Sequence, residues 1–170
     1  AWTWEHLALS RARVVMGDDG FGPDIMAVIE SVLSRPRDEA KTIDHAFFKE
    51  RISKALAHRA QWVKNTNAIR LIFGESDGLP GLVVDQYADT LVCQFLFVGM
   101  EHWKEAIVQA LVQQTGCNTI VERSDAAVRA REGLEPHIGA LFGEMPEAPI
   151  NVNECGVLYS VDVVHGHKTG

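Results

Sequence analysis

The chain has 170 residues, a formal net charge of −7 and 46% hydrophobic residues. This length suits one domain or two small ones, and the composition excludes a disordered chain. The acidic balance excludes nucleic-acid binding over the whole surface, and no apolar run is long enough to span a membrane. The N-terminus lacks a secretion-signal pattern and an initiator Met, which indicates a processed or trimmed chain.

Cysteine usage indicates a reducing environment. The three cysteines, Cys93, Cys117 and Cys155, are widely separated and odd in number, which does not fit a disulfide framework. Because no CxxC spacing is present, we interpret them as separate packed thiols and not as metal ligands. We therefore expect a cytoplasmic protein without membrane association.

Two helices are predicted before the first clear strand. Residues 12–15 alternate as a strand could, and Pro23 then suits the first turn of a helix with apolar residues at helical spacing as far as Leu33. A second helix begins near Asp44, a good N-cap residue, and ends at about Trp62.

The second helix carries a local excess of positive charge. Residues 41–70 hold seven Lys or Arg and two Asp or Glu, and seven minus two gives +5 within a chain of −7. Such a helix can form an electrostatic footprint for RNA, or it can be a solvated face with no partner. The candidate RNA contacts are Lys49, Arg51, Lys54, Arg59 and Lys64.

From Ala68 the pattern becomes that of an α+β domain. Apolar runs and turn residues predict, in chain order, strands at 68–73, 82–86 and 91–98, a helix at 101–114 and a strand at 118–122. Gly116 is the natural stop of that helix. We expect a small mixed sheet with a strand-strand-helix-strand-strand core, preceded by the two helices.

The last third of the chain is less regular. Ser124 is predicted to cap a short helix over 125–131, and the Gly- and Pro-containing stretch 133–149 is predicted to be mostly loop. Residues 150–164 predict a hairpin closed at Glu154-Cys155-Gly156.

A loop with three glycines separates the first two strands of the sheet. Gly74, Gly78 and Gly81 are spaced G-x-x-x-G-x-x-G and precede a strand, whereas a dinucleotide fingerprint reads G-x-G-x-x-G and opens a helix. The Gly-Lys-Ser/Thr end of a Walker loop is also missing. The Asp-Gly and Pro-Gly dipeptides of this glycine loop instead predict a structural turn. The alternative is a functional surface that uses Glu75 or Asp77.

Two further patterns are weak as sites. His165 and His167 are spaced so that both could lie on one side of an extended chain, but no third ligand is suggested nearby, so no metal site is predicted. Glu122-Arg123-Ser124-Asp125 is interpreted as a surface capping arrangement with an Arg–carboxylate pair, with a polar interdomain or RNA contact as the alternative.

Three blocks of residues together carry a family resemblance. They are Asn67–Tyr87 with its Asp-Gly-Leu-Pro-Gly-Leu run, Glu122–Leu134 with its Glu-Arg-Ser-Asp and Glu-Gly-Leu runs, and Val161–Gly170 with its Lys-Thr-Gly end. Over roughly residues 44–170 the chain resembles the central part of the S-adenosylmethionine-dependent cytosine methyltransferases of large-subunit ribosomal RNA.

The resemblance implies a three-part parent protein, with an RNA-binding PUA domain, a central strand-strand-helix-strand-strand domain and a Rossmann-like catalytic domain. The expected division of this chain is an atypical or truncated helical region at 1–64, the central domain at 65–149 and a hairpin linker at 150–170. The resemblance also places Lys168, Thr169 and Gly170 at the edge of an incomplete cofactor pocket. We therefore expect the Rossmann domain to be absent, and the chain alone to be inactive and to bind no cofactor.

The family's chemistry also bears on the cysteines. Carbon 5 of cytosine is a poor nucleophile, and the resemblance implies that a Cys thiolate adds to the ring to activate it. None of the three cysteines lies in a block that matches the catalytic motif, so no catalytic residue is assigned. The expected role is RNA positioning, scaffolding or dimerisation, with ribosomal RNA as partner; a stand-alone nucleic-acid-binding or protein-interaction module is the alternative.

Overall fold

A computed structural model describes residues 42–166 of the chain. The strand and helix predicted before residue 41 lie outside this range, as do His167 and the cofactor-binding candidates Lys168, Thr169 and Gly170. The domain boundaries predicted at 64 and 149 remain predictions.

The described residues form four α-helices and seven β-strands. The helices are α1 (His45–Trp62), α2 (Val98–His102), α3 (Lys104–Thr115) and α4 (Val128–Arg131). The strands are β1 (Ala68–Phe73), β2 (Leu82–Tyr87), β3 (Thr90–Phe95), β4 (Thr119–Ser124), β5 (His137–Phe142), β6 (Ile150–Glu154) and β7 (Val157–Val161). A 3₁₀ turn, Gly74–Asp77, lies between β1 and β2.

The main sheet has five strands in the order β1-β2-β3-β4-β5. Neighbouring strands are antiparallel except β3 and β4, which are parallel and are joined by α2 and α3. A parallel pair needs such a crossover because its connection must return along the sheet. The α+β class and the mixed sheet are confirmed, and the three strands predicted before the crossover helices are present, one more than in a strand-strand-helix-strand-strand core.

Helix α1 follows the sequence prediction closely. Asp44 accepts a hydrogen bond from the backbone N–H of Phe47 at 2.9 Å and so caps one of the free donors of the first turn. Phe47, Phe48 and Ile52 are buried on the face that packs against α3 and β1. Burying each such side chain stabilises the fold by about 1.5–3 kcal/mol.

Both ends of the crossover show how local sequence sets the helix limits. The predicted helix at 101–114 is two helices, because the chain leaves α-helical geometry at Trp103 between α2 and α3. At the other end, Gly116 adopts φ +65° and its N–H donates to the Val112 carbonyl, as predicted for the helix stop. The third predicted strand, 91–98, ends at Phe95 because α2 begins at Val98.

Two predictions for the later part of the chain need comment. The stretch 133–149 is mostly loop, as predicted, but it also contains β5, which the sequence did not predict and which completes the sheet as an edge strand. Residues 138–142 of β5 are apolar, but a glycine interrupts them and glycines and prolines lie on both sides, so turn residues masked this strand in the sequence. Ser124 does not cap α4, because its hydroxyl accepts a hydrogen bond from the backbone N–H of Phe95 at 2.9 Å.

Strands β6 and β7 form the predicted hairpin, closed at Cys155 and Gly156, which have φ values of +50° and +89°. The hairpin joins the body through Asn67, whose N–H donates to the carbonyl of Asn153 at 3.1 Å. No helix within residues 42–166 is long and apolar enough to cross a membrane.

Candidate functional site

The glycine loop is a structural turn held by its own acidic residue. Asp77 accepts two hydrogen bonds from the guanidinium of Arg59, at 2.8 and 2.6 Å, and one from the backbone N–H of Phe73 at 2.7 Å. Gly81 has φ +81°, and a Cβ placed on it would lie 2.5 Å from the ring of Phe97. The carboxylate of Asp77 is therefore used inside the fold, and the turn requires glycine at this position.

Two of the five candidate RNA contacts attach α1 to this loop. Arg59 is engaged with Asp77 in a bidentate ion pair in which both side chains are largely buried, and it also donates to the carbonyl of Arg70 at 3.1 Å. Arg51 lies over the ring of Phe47 at 5.4 Å and against Gly78, on which an added Cβ would lie 2.8 Å from Nη1. Both arginines thus have structural contacts that compete with binding a phosphate.

The other three candidates are exposed lysines along and just after α1. Lys49 and Lys64 are exposed, and the side chain of Lys54 is 68% exposed while it pairs with Glu50 at 2.7 Å. An exposed i,i+4 pair of this kind contributes only about 0.3–0.5 kcal/mol, so it does not hold Lys54 away from a ligand. These three lysines are cations open to solvent, spread along and just after α1.

The Glu-Arg-Ser-Asp block belongs to a buried polar network. Glu122 on β4 has no exposed surface, and its carboxylate lies 2.9 Å from Nζ of Lys104 and 3.0 Å from Nδ1 of His137. Lys104 also contacts Glu101 at 2.5 Å. Burial alone would raise the pKa of Glu101, but hydrogen bonds from Lys104 and Arg129 outweigh it and lower this pKa.

Arg129 is the centre of the same network on α4. It is 2% exposed, and its guanidinium donates to the carbonyls of Phe95 and Glu135 and to the carboxylate of Glu101, the last at 3.0 Å. A buried charge is tolerated when it is paired and hydrogen-bonded in this way. The second sequence block is therefore mostly a buried structural element and not a surface cap, although the predicted Arg–carboxylate pair is present as Arg123 and Asp125, 3.9 Å apart.

Arg123 has a different task, since it holds the segment that follows the hairpin. Its guanidinium donates to the carbonyl of Val163 at 3.4 Å and to that of Gly166 at 2.5 Å. Asp162 turns the same segment by accepting from the backbone N–H of His165 at 2.8 Å and of Val164 at 3.0 Å, and these bonds lower its pKa. The sequence had not predicted this anchor. Its only sequence signal is an Arg that directly follows Glu122.

Neither a metal centre nor an activated thiol is found between residues 42 and 166. No group of three or more His, Cys, Asp or Glu that could hold a metal is present there, and the side chain of His165 is 85% exposed. Cys93 and Cys117 are buried, and burial raises the pKa of the Cys93 thiol above its ordinary value. Cys155 is exposed on the hairpin turn.

The sequence of the chain is similar to those of known methyltransferases. The chain is 47% identical over 135 residues to the ribosomal RNA large subunit methyltransferase I of Shewanella frigidimarina, a match that covers 78% of this chain and 34% of that protein. The proteins of the same name from Shewanella denitrificans and Vibrio cholerae are 48% identical over 136 residues and 46% identical over 134, with the same coverage. Its homologues are ribosomal RNA large subunit methyltransferases. The chain spans about a third of their length, and no protein-family model matches it.

Solved structures agree on the fold. SMU.776, described as a methyltransferase and crystallised with SAH, superposes with a TM-score of 0.64 at 19% identity over 76% of this chain and 32% of its own. A second structure, described as a SAM-dependent methyltransferase from Streptococcus mutans, gives a TM-score of 0.60 at 18% identity over 72% of this chain and 31% of its own. At these identities the likeness concerns the fold alone.

Proposed function

We propose that this chain is the RNA-positioning and scaffold part of an S-adenosylmethionine-dependent methyltransferase that modifies cytosine 5 of large-subunit ribosomal RNA in the cytoplasm. The observation that carries the proposal is the 47% identity over 135 residues to a ribosomal RNA large subunit methyltransferase I. The cofactor-binding, catalytic part corresponds to the portion of the relatives that the match does not cover.

The chemistry of the reaction supports this division of labour. Methylation at carbon 5 needs a thiolate that adds to the ring and a pocket for the methyl donor. Cys93 is buried with a raised pKa, which disfavours the thiolate. S-adenosylmethionine would supply the methyl group, and Lys168, Thr169 and Gly170 would border its pocket.

The anchored tail supports a role in positioning the catalytic part. Arg123, on β4, donates hydrogen bonds to the carbonyls of Val163 and Gly166. The chain therefore leaves the described fold from a position that is fixed against β4. On β7, Val157, Leu158 and Tyr159 are 53%, 75% and 49% exposed. Val157 and Tyr159 lie on one face of the strand and Leu158 on the other. Exposed large apolar side chains typically mark a contact, and we assign these to the catalytic part of the methyltransferase.

The RNA would be held by the exposed lysines of the α1 surface, Lys49, Lys54 and Lys64. If all three contact phosphates of single-stranded RNA, log K should fall against log salt concentration with a slope of about −2. Fluorescence anisotropy with a labelled ribosomal RNA fragment, from about 50 to 200 mM salt, measures this slope.

A triple variant tests the assignment of the lysines. Changing Lys49, Lys54 and Lys64 to Ala should weaken binding and remove most of the slope, whereas Arg131→Ala, an exposed cation of α4, should leave both unchanged. Binding that is independent of salt would contradict the RNA role. Titration calorimetry should detect no S-adenosylmethionine binding by this chain alone, and micromolar binding would contradict the proposed division.

A further inference from the structure

An open cavity of about 530 Å³ lies where the start of β1 meets the hairpin turn. It is lined by residues of two short segments, Asn65–Asn67 and the group Asn153, Cys155 and Gly156. Its volume falls within the range of about 300–1,000 Å³ that is typical of small-ligand pockets. None of the site residues that the sequence proposed for RNA or cofactor binding lines it.

The two segments are fixed to each other before any ligand binds. The N–H of Cys155 donates to the carbonyl of Asn65 at 2.7 Å, and the N–H of Asn153 donates to Oδ1 of Asn67 at 2.7 Å. Oδ1 of Asn153 in turn accepts from the N–H of Gly156 at 3.0 Å. Such a preformed wall lowers the ordering cost of binding.

This arrangement leaves amide groups that can donate. Because Asn67 and Asn153 use their oxygens within the fold, each keeps its NH₂ group for a ligand. Among the described residues no side-chain hydrogen bond of Asn65 is found. Asn65 and Cys155 also have positive φ values of 60° and 50°, and residues held in this region cluster at binding sites.

An aromatic residue and a cation precede the first lining segment of the cavity in the chain. Trp62, the last residue of α1, is 75% exposed. Two residues separate it from Asn65, which keeps the two Cα atoms within about 11 Å. Lys64 is exposed directly before Asn65. A stacking ring, amide donors and a cation together are what proteins use to hold a base of single-stranded RNA.

We infer that this cavity binds a nucleobase of single-stranded RNA, with Trp62 stacking on a base, the amides of Asn67 and Asn153 donating to its edge, and Lys64 contacting the backbone. The inference rests on the proposed RNA function and goes beyond it, because it assigns base recognition to a site away from the catalytic chemistry. The lysine surface alone would bind only the phosphates.

The test compares two RNAs of equal charge, one of about 8 nucleotides with all bases and one abasic, for binding to the 170-residue chain by anisotropy. The base-bearing RNA should bind more tightly. Trp62→Ala should reduce that preference by about 5- to 150-fold without changing the salt slope. Phe142→Ala, a 41% exposed aromatic on the opposite edge of the sheet, should leave it unchanged.

A second variant tests the amides. Asn67→Asp keeps the oxygen that accepts from Asn153 but replaces the NH₂ donor, so the preference for bases should fall. Its added negative charge weakens binding of both RNAs alike, and the ratio of the two affinities removes this effect. An unchanged ratio in this variant and in Trp62→Ala would overturn the inference.

Alkylation of Cys155 reports on the location of the bound RNA. Of the three cysteines only Cys155 is exposed, so base-bearing RNA should slow its reaction with iodoacetamide, and the abasic RNA should not. Equal binding of both RNAs, with no protection of Cys155, would overturn the pocket and leave the RNA function standing. No binding of either RNA would overturn the proposed function and the pocket with it.

Discussion

Replacement of Arg129 by Ala tests whether the second sequence block is structural. The change would leave the carbonyl of Phe95, a fully buried residue, without its donor, which costs about 1–3 kcal/mol. Glu101 would lose one partner but is 29% exposed and keeps Lys104, which adds about 1 kcal/mol or less. With the lost packing of the arginine stem, we expect a total destabilisation of about 3 kcal/mol.

Urea unfolding followed by circular dichroism measures this loss. For a chain of this size, about 3 kcal/mol corresponds to a fall in Tm of roughly 6–12 °C. Arg131→Ala is the matched control, since Arg131 is an exposed arginine of the same helix and should change stability by no more than about 0.5 kcal/mol. An Arg129→Ala loss below about 1 kcal/mol would refute the buried-network reasoning.

Two further predictions concern stability. Despite partial burial, hydrogen bonds from two cations lower the pKa of Glu101, so its stabilisation is full above its ordinary pKa and is lost as pH falls through the lowered value. In urea titrations Glu101→Gln should therefore be destabilising at pH 7, and the deficit should shrink as the pH is lowered below the ordinary pKa of a Glu; a deficit that does not change with pH would contradict this. Gly81→Ala should destabilise by about 2 kcal/mol more than Gly133→Ala, because both glycines have positive φ but only Gly81 faces an aromatic ring. Equal falls in Tm for the two variants would contradict this prediction, because they would show that the ring of Phe97 moves aside at no cost.

Periodicity and turn chemistry predicted most of the fold, because those elements are specified locally. Helix α1 has its cap at Asp44 and its buried face in its own sequence, and β1 has the bounds predicted from its apolar run. Strand β5 was missed because it is an edge strand whose register on β4 is set by tertiary pairing. Propensity alone does not identify such a strand.

The candidate site was harder to predict for the same reason. The charge pattern identified Lys49, Lys54 and Lys64 but could not separate them from Arg59, which pairs with Asp77 eighteen residues later. Asn67, just before β1, and Asn153, on β6 of the hairpin, are hydrogen-bonded although they lie 86 residues apart in the sequence. Pairings of this length depend on the complete fold, and no local motif indicates them.

Methyl transfer by a chimeric enzyme tests the central claim most directly. The homologous third of the Shewanella frigidimarina methyltransferase would be replaced by the matching part of this chain, and transfer from S-adenosylmethionine to large-subunit ribosomal RNA would be measured. We predict that the chimera keeps activity within about 10-fold of the parent, equivalent to about 1.4 kcal/mol in the barrier. A folded chimera with no detectable transfer would contradict the claim that this chain positions RNA for such an enzyme.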